Sequence, residues 1–102
     1  MLGRWNLPVE PEKAQQLLRD GAIVIDVRTP QEFADRHLEC AVNFPLESLP
    51  NELDRLPRGV LLVHCKSGMR SNMATRLLQS KGIQNVYNLG SFDRARGIVE
   101  VA

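Results

Sequence analysis

Apolar positions along the chain change period several times. "AIVIDV" (22–27) and "VLLVH" (60–64) are continuous apolar runs without polar alternation, the pattern of a strand covered on both faces. "IQNVYNL" (83–89) supplies a third strand before Gly90. Between them the apolar residues fall three or four apart. In "PEKAQQLLRDG" Pro11 suits a first helical turn, Ala14, Leu17 and Leu18 share a face, and Gly21 is the stop. "TPQEF" predicts a second helix, with Thr29 as N-cap, Pro30 at the first helical position and Glu32 at the capping-box spacing. "CAVNFP" reads as a short strand closed by Pro45. In "LESLPNELDRL" Pro50 interrupts near-helical spacing of Leu46, Leu49, Leu53 and Leu56, which predicts a turn and then one helix from about Asn51. A helix over Ser71–Gln79, with Met73, Ala74, Leu77 and Leu78 on its apolar side, ends near Gly82. "SFDRARGIVEVA" predicts one more short helix ended by Gly97. Strands alternating with helices place the chain in the α/β class, with a mostly parallel central sheet flanked by helices on both faces.

The 102 residues suit a single domain, 1–102, and no internal repeat or linker divides them. Thirteen Lys and Arg against twelve Asp and Glu leave a net charge of +1, which argues against nucleic acid or an anionic membrane surface as partner. The longest apolar runs, Ala22–Ile25 and Val60–Val63, are far shorter than the roughly 20 residues that span a bilayer. "MLGRWNLPVEPEK" contains no apolar signal-peptide core, so the expected compartment is the cytoplasm, or the periplasm if a signal peptide has been removed. Cys40 and Cys65 are too few for a disulfide scaffold, and neither has metal-site spacing to His37 or His64, so no metal is expected.

Cys65 carries the chemistry. In parallel sheets ligands gather at the carboxyl ends of strands, where loops lead into helices. Cys65 directly follows "VLLVH", and Cys65, Lys66, Ser67, Gly68, Met69 and Arg70 separate that strand from the next helix. Ser67 and Gly68 let the backbone curl so that successive N–H groups face inward as an anion-binding nest. The helix N-terminus adds partial positive charge, and Lys66 and Arg70 are cationic candidates. Burial is the ordinary fate of a free cysteine. Such a cradle instead favours the thiolate and makes Cys65 a nucleophile. Cys40 has no comparable loop and keeps the ordinary reading.

"VHCKSGMRSNMA" resembles the active-site loop of the rhodanese (sulfurtransferase) superfamily. "IDVRTPQEFADRHLECAVNFPL" resembles its upstream pattern of Asp-x-Arg, Glu-Phe, His and Ala-x-Asn-x-Pro, and "GIQNVYNLGSF" its closing strand and turn. The resemblance covers most of residues 8–92 and is strongest over 22–92. It implies a single-domain rhodanese in which Cys65 takes a sulfane sulfur from thiosulfate or a similar small donor, holds it as a persulfide, and gives it to cyanide or another thiophile. Lys66, Ser67, Gly68, Met69 and Arg70 would form the substrate-binding loop around that sulfur. Asp26, Arg28 and His37 would be structural supports. No metal or organic cofactor is implied. His64 would point away from its neighbour Cys65, as adjacent strand residues do.

The chain departs from the family pattern at Arg36 and Cys40, where glycines commonly flank the His-containing stretch. Side chains there alter a turn otherwise made of backbone. Cys40 as a resolving partner for Cys65 requires Cα atoms within about 7 Å. The C-terminal segment ends in "RGIVEVA", without the Trp-bearing helix of many relatives. Two rival functions share the fold. Dual-specificity phosphatases, and the arsenate reduction some of their relatives perform, use a loop with five residues between Cys and Arg; four separate Cys65 from Arg70, a cradle for one sulfur rather than a phosphoryl group. A persulfide carrier or sulfur-relay module would use the same nucleophile but pass the sulfur to a protein thiol.

Overall fold

A computed structural model describes residues 7–102; residues 1–6 of the expected domain, most of its N-terminal segment before Pro8, lie outside the described residues. Helix α1 (Pro11–Arg19) precedes strand β1 (Ile23–Asp26), helix α2 (Pro30–Asp35) and the two-residue strand β2 (Val42–Asn43). Strand β3 (Leu61–His64), helix α3 (Met69–Ser80), strand β4 (Val86–Gly90) and helix α4 (Phe92–Glu100) complete the order. The four strands pair in parallel in the order β2-β1-β3-β4. The chain is α/β, as its alternation of periods predicts.

Strands β1, β3 and β4 are buried on both faces because their side chains alternate between two cores. Val24, Leu62 and Leu89 point to one side, where Ala14 of α1 and Phe92, Ala95 and Ile98 of α4 cover them. Ile25, Leu61 and Val63 point to the other, against Ala74 and Leu78 of α3 and the fully buried Leu49. Two facing layers explain why "VLLVH" carries no polar alternation.

Three expected elements differ. The residues after Pro45 form two short 3-10 turns, Leu49–Asn51 and Leu53–Arg55, rather than a helix from Asn51. Pro50 supplies no N–H, and Glu52 leaves helical geometry at φ −125°, so the leucine spacing plugs the second core with Leu49 instead of lining a helix. Helix α3 starts at Met69, two residues early, and Met73 is 53% exposed; the buried face is Ser71, Ala74, Thr75 and Leu78. Helix α4 runs through Gly97 to Glu100, because Ile98 continues its buried stripe and a side chain at Gly97 would meet open space.

Two ionic ties lock the carboxyl edge of the sheet. The first is buried. Asp26, at the end of β1, accepts the Arg28 backbone N–H at 2.9 Å and its guanidinium at 2.7–3.0 Å. Arg28 also donates to the Arg36 carbonyl at 2.5 Å and lies 4.8 Å over the Phe92 ring. The second tie is the capping box of α2 extended across the molecule. The Thr29 hydroxyl accepts the Glu32 N–H at 3.1 Å, and Glu32 Oε1 accepts the Thr29 N–H at 2.9 Å. The same carboxylate takes both terminal nitrogens of Arg70, at 2.6 and 3.1 Å. The hydrogen bond from Arg70 is the main reason the Glu32 carboxyl is held down from 4.5 to about 2.

Two outcomes follow from these ties. Arg28→Ala strands a buried carboxylate and is expected to cost about 3–5 kcal/mol in a urea unfolding titration. A carboxyl held low in the folded state stabilises it above its ordinary pKa of 4.5 and loses that contribution as pH falls toward 2. Glu32→Gln should therefore remove part of the acid dependence of the urea midpoint between about pH 2 and pH 6; an identical dependence in wild type and variant would show that the pair contributes nothing.

Candidate functional site

The thiol sits where the sheet edge meets α3. In the β1–β3 register Asp26 pairs with His64, so Val27 lies beside Cys65, and the Val27 N–H donates to the His64 carbonyl at 3.1 Å. The Cys65 N–H donates to the Gly90 carbonyl of β4 at 3.1 Å, and the Phe92 N–H donates to the Lys66 carbonyl at 3.1 Å. Strands on either side therefore hold the start of the loop. Gly68 then turns the chain into α3 with φ +104°, a left-handed conformation that a side chain would strain although space for a Cβ exists. At Gly90, φ +95°, a Cβ would in addition crowd the Arg94 side chain at 3.0 Å.

This turn aims donors at the sulfur. The Gly68 N–H points at Cys65 Sγ from 3.0 Å and the Ser71 N–H from 3.3 Å. The Ser71 hydroxyl lies 3.6 Å from the same sulfur and within 3.1 and 3.4 Å of the Gly68 and Gly90 carbonyls. A hydroxyl carries one proton and can rotate it among these acceptors, toward the sulfur whenever that atom bears negative charge. Cys65 is 0% exposed and packs on the same side as Val27 and Val63. The arrangement can hold an anionic sulfur at the N-terminus of a twelve-residue helix with main-chain N–H groups already in place.

The expected loop residues divide between the sulfur and the surface. Gly68 contacts Cys65 directly. Lys66 and Ser67 are exposed, and Met69 is 61% exposed on the first turn of α3. Arg70 does not stand free as a cation for an anionic donor; Glu32 holds it in a two-point ion pair. Lys66 borders a polar cleft of about 380 Å³ with Arg28, Glu32, Asp35, Arg36 and Asp93.

The expected supports lie apart from the sulfur. Asp26 and Arg28 satisfy each other, and Asn43 Nδ2 adds bonds to the carbonyls of Asp26 (2.9 Å) and Arg28 (3.1 Å). His37 is exposed, stacked on Phe33 at 3.9 Å, with Nδ1 2.6 Å from the Phe33 carbonyl, so it braces the end of α2. His64 is buried on the Asp26 and Phe92 side, across the sheet from the sulfur. Burial pushes its protonation below the ordinary histidine range despite the Asp26 charge, and its Nδ1 lies 3.2 Å from the Cys65 carbonyl. Arg36, in place of a glycine, lays its guanidinium 4.6 Å over Phe92. Cys40 neighbours Val99 and Glu100, whereas the Cys65 loop bonds to Phe92 at the other end of α4, about 10 Å away along that helix. The Cys40 thiol is pushed up, chiefly by desolvation and further by Glu39. Both cysteines are free.

Two residues escaped the sequence reading. Glu32 reads as a helix cap alone, because its partner Arg70 lies 38 positions later and no local period connects them. Ser71 reads as the start of a helix; the signal available was its place in the turn whose N–H groups face the loop. Among the described residues no group of three or more His, Cys, Asp or Glu side chains is placed to hold a metal ion, and no helix is long and apolar enough to cross a membrane.

Known proteins carry the same arrangement of sequence and fold. The family model described as "Rhodanese-like domain" matches residues 10–94. The chain is similar to slr1261, an uncharacterized protein of Synechocystis sp., at 34% identity over 86 residues, covering 82% of this chain and 48% of that protein. It is similar to the thiosulfate sulfurtransferase GlpE of Ectopseudomonas mendocina at 33% identity over 87 residues, covering 83% of this chain and 80% of that one. It thus spans about half the length of the first relative and four-fifths of the second. Among solved structures it resembles the rhodanese homologue TT1651 from the extremely thermophilic bacterium Thermus thermophilus, with a TM-score of 0.66, 32% identity and coverage of 83% and 94% of the two chains. A parallel sheet in the order β2-β1-β3-β4, a cysteine at the end of β3 and a family match across 10–94 agree: the chain belongs to the rhodanese-like domain family.

Proposed function

We propose that this protein is a sulfurtransferase that moves a sulfane sulfur from thiosulfate or a similar donor to cyanide or a thiol through a persulfide on Cys65. The observation that carries the reading is the pair of backbone N–H groups, of Gly68 and Ser71, aimed at Cys65 Sγ. The family and the GlpE relative, named a thiosulfate sulfurtransferase at 33% identity, support the same class of reaction.

In the first step the Cys65 thiolate attacks the outer sulfur of thiosulfate. The Sγ–S bond forms, the S–S bond of the donor breaks, and sulfite leaves with the electron pair. The two N–H groups and the Ser71 hydroxyl hold the anionic persulfide while Lys66, Ser67, Met69 and Arg70 shape the loop around it. In the second step cyanide or a thiolate attacks the terminal sulfur and regenerates the thiolate. A protein thiol is the alternative acceptor, making the domain a relay; Met69 and Met73, 61% and 53% exposed beside the loop, present apolar surface suited to a docked protein. Phosphatase and arsenate-reductase chemistry fit less well, since the four residues between Cys65 and Arg70 make a smaller cradle than a tetrahedral oxyanion needs.

Incubation with thiosulfate should add about 32 Da to Cys65 by mass spectrometry and yield thiocyanate with cyanide in ping-pong kinetics, with both lost in Cys65→Ser. Absence of adduct and turnover, or turnover that survives Cys65→Ser, would overturn the proposal; hydrolysis of a small aryl phosphate would favour the phosphatase. Ser71→Ala should reduce the rate of sulfur loading by about tenfold or more with a smaller change in KM, as expected for a donor to developing charge. An unchanged loading rate would remove Ser71 from the site.

A further inference from the structure

The loop offers two cations, and neither acts as an isolated positive charge. Arg70 is bound at two points by Glu32, and the two side chains are 32% and 29% exposed. Because the same carboxylate also accepts the Thr29 N–H and lies 3.2 Å from the Thr29 hydroxyl, it is fixed on α2 rather than free to swing away. Held down at about 2, it stays ionised through the neutral range. With Glu32 taken by Arg70 and Arg28 taken by Asp26, Lys66 faces a cleft in which Asp35 and Asp93 balance Arg36 and its own ammonium. Charge near the loop is therefore close to neutral, although a guanidinium bound at two points keeps further N–H donors for one more oxygen.

Beside Arg70 lies a second cleft of about 410 Å³ whose mostly apolar lining comprises Val27, Thr29, Pro30, Pro45, Leu46 and Glu47. It reaches the sheet next to the nucleophile: Val27 neighbours Cys65 in the β1–β3 register, and the Leu46 N–H donates to the Val27 carbonyl at 3.0 Å. Thiosulfate carries two negative charges and no apolar atom, so it matches neither the neutralised arginine nor these walls. A singly charged donor with an apolar substituent matches both.

Resting on the sulfur-transfer reading above, we propose that Glu32 is a specificity-determining residue: by neutralising Arg70 it selects a monoanionic sulfane-sulfur donor bearing an apolar group, of which an organic thiosulfonate is the simplest, over a dianion. In that reaction the Cys65 thiolate attacks the outer sulfur of RSO2–S⁻. The Sγ–S bond forms as the sulfonyl–sulfur bond breaks, its electron pair leaving on the sulfinate RSO2⁻. One negative charge departs, one remains on the persulfide, and no proton or external redox partner is required. Glu32 touches none of the reacting atoms and acts through Arg70.

The test compares benzenethiosulfonate with thiosulfate, cyanide being the acceptor, in wild type and Glu32→Gln. Wild type should favour benzenethiosulfonate by at least about tenfold in kcat/KM, and Glu32→Gln should narrow that ratio by about tenfold, mainly through a lower KM for thiosulfate, as loss of one close like charge predicts. If Glu32→Gln does not fold, wild type still decides through dead-end inhibition, where benzenesulfonate should bind at least about tenfold tighter than inorganic sulfate. A donor ratio near one or favouring thiosulfate, an unchanged ratio in folded Glu32→Gln, or equal inhibition by the two anions would overturn the role of Glu32. In each of these cases sulfur still loads onto Cys65; failure of both donors to load it would overturn the sulfur-transfer reading itself.

Discussion

A parallel sheet buried on both faces ends in polar groups that water cannot reach, and the rest of this molecule depends on how they are satisfied. At the carboxyl edge Asp26 receives the Arg28 guanidinium and backbone, Asn43 bonds the carbonyls of Asp26 and Arg28, and Cys65 donates its N–H to Gly90. Together with the bond from the Val27 N–H to the His64 carbonyl, these join all four strand ends into one rigid rim. The loop over Cys65 starts from that rim, so the main chain itself positions the N–H groups that meet the sulfur.

Rigidity of this kind has a chemical consequence. Main-chain donors already aimed at Sγ need no reorganisation when charge develops there, and Ser71 adds an adjustable proton at 3.6 Å. The same backbone cradle explains the quiet surroundings. His64, though next in sequence, lies across the sheet with the buried Asp26–Arg28 pair, while Arg70 is tied to Glu32. In the sulfur-transfer reaction proposed above, charge selection falls to the outer ring of side chains and sulfur binding to the backbone beneath them.

How much can be read from the residues follows the range of each interaction. The Thr29–Glu32 capping box, the glycine turn at Gly68 and the strand before Cys65 each depend on neighbours within a few positions, and local pattern is enough to place them. Periodicity misplaces Met73 because it assigns an apolar face without knowing which side of α3 meets the sheet; small and polar Ser71, Ala74 and Thr75 occupy that side, where the helix approaches the strands closely. Leu49, Leu53 and Leu56 keep helical spacing without a helix, since Pro50 and the need to plug the second core outweigh propensity.

From the sequence alone come the α/β class, the order of the strands and the four long or capped helices, the candidate nucleophile and its four-residue spacing to Arg70, because hydrophobic period, turn chemistry and loop length are local properties of a chain. Tertiary structure alone decided that Arg70 answers to Glu32, that Cys40 sits at the far end of α4 from Cys65, and that apolar walls stand beside Val27. Each of these depends on which distant segments the parallel sheet brings side by side, and that proximity exists only once the two cores have closed.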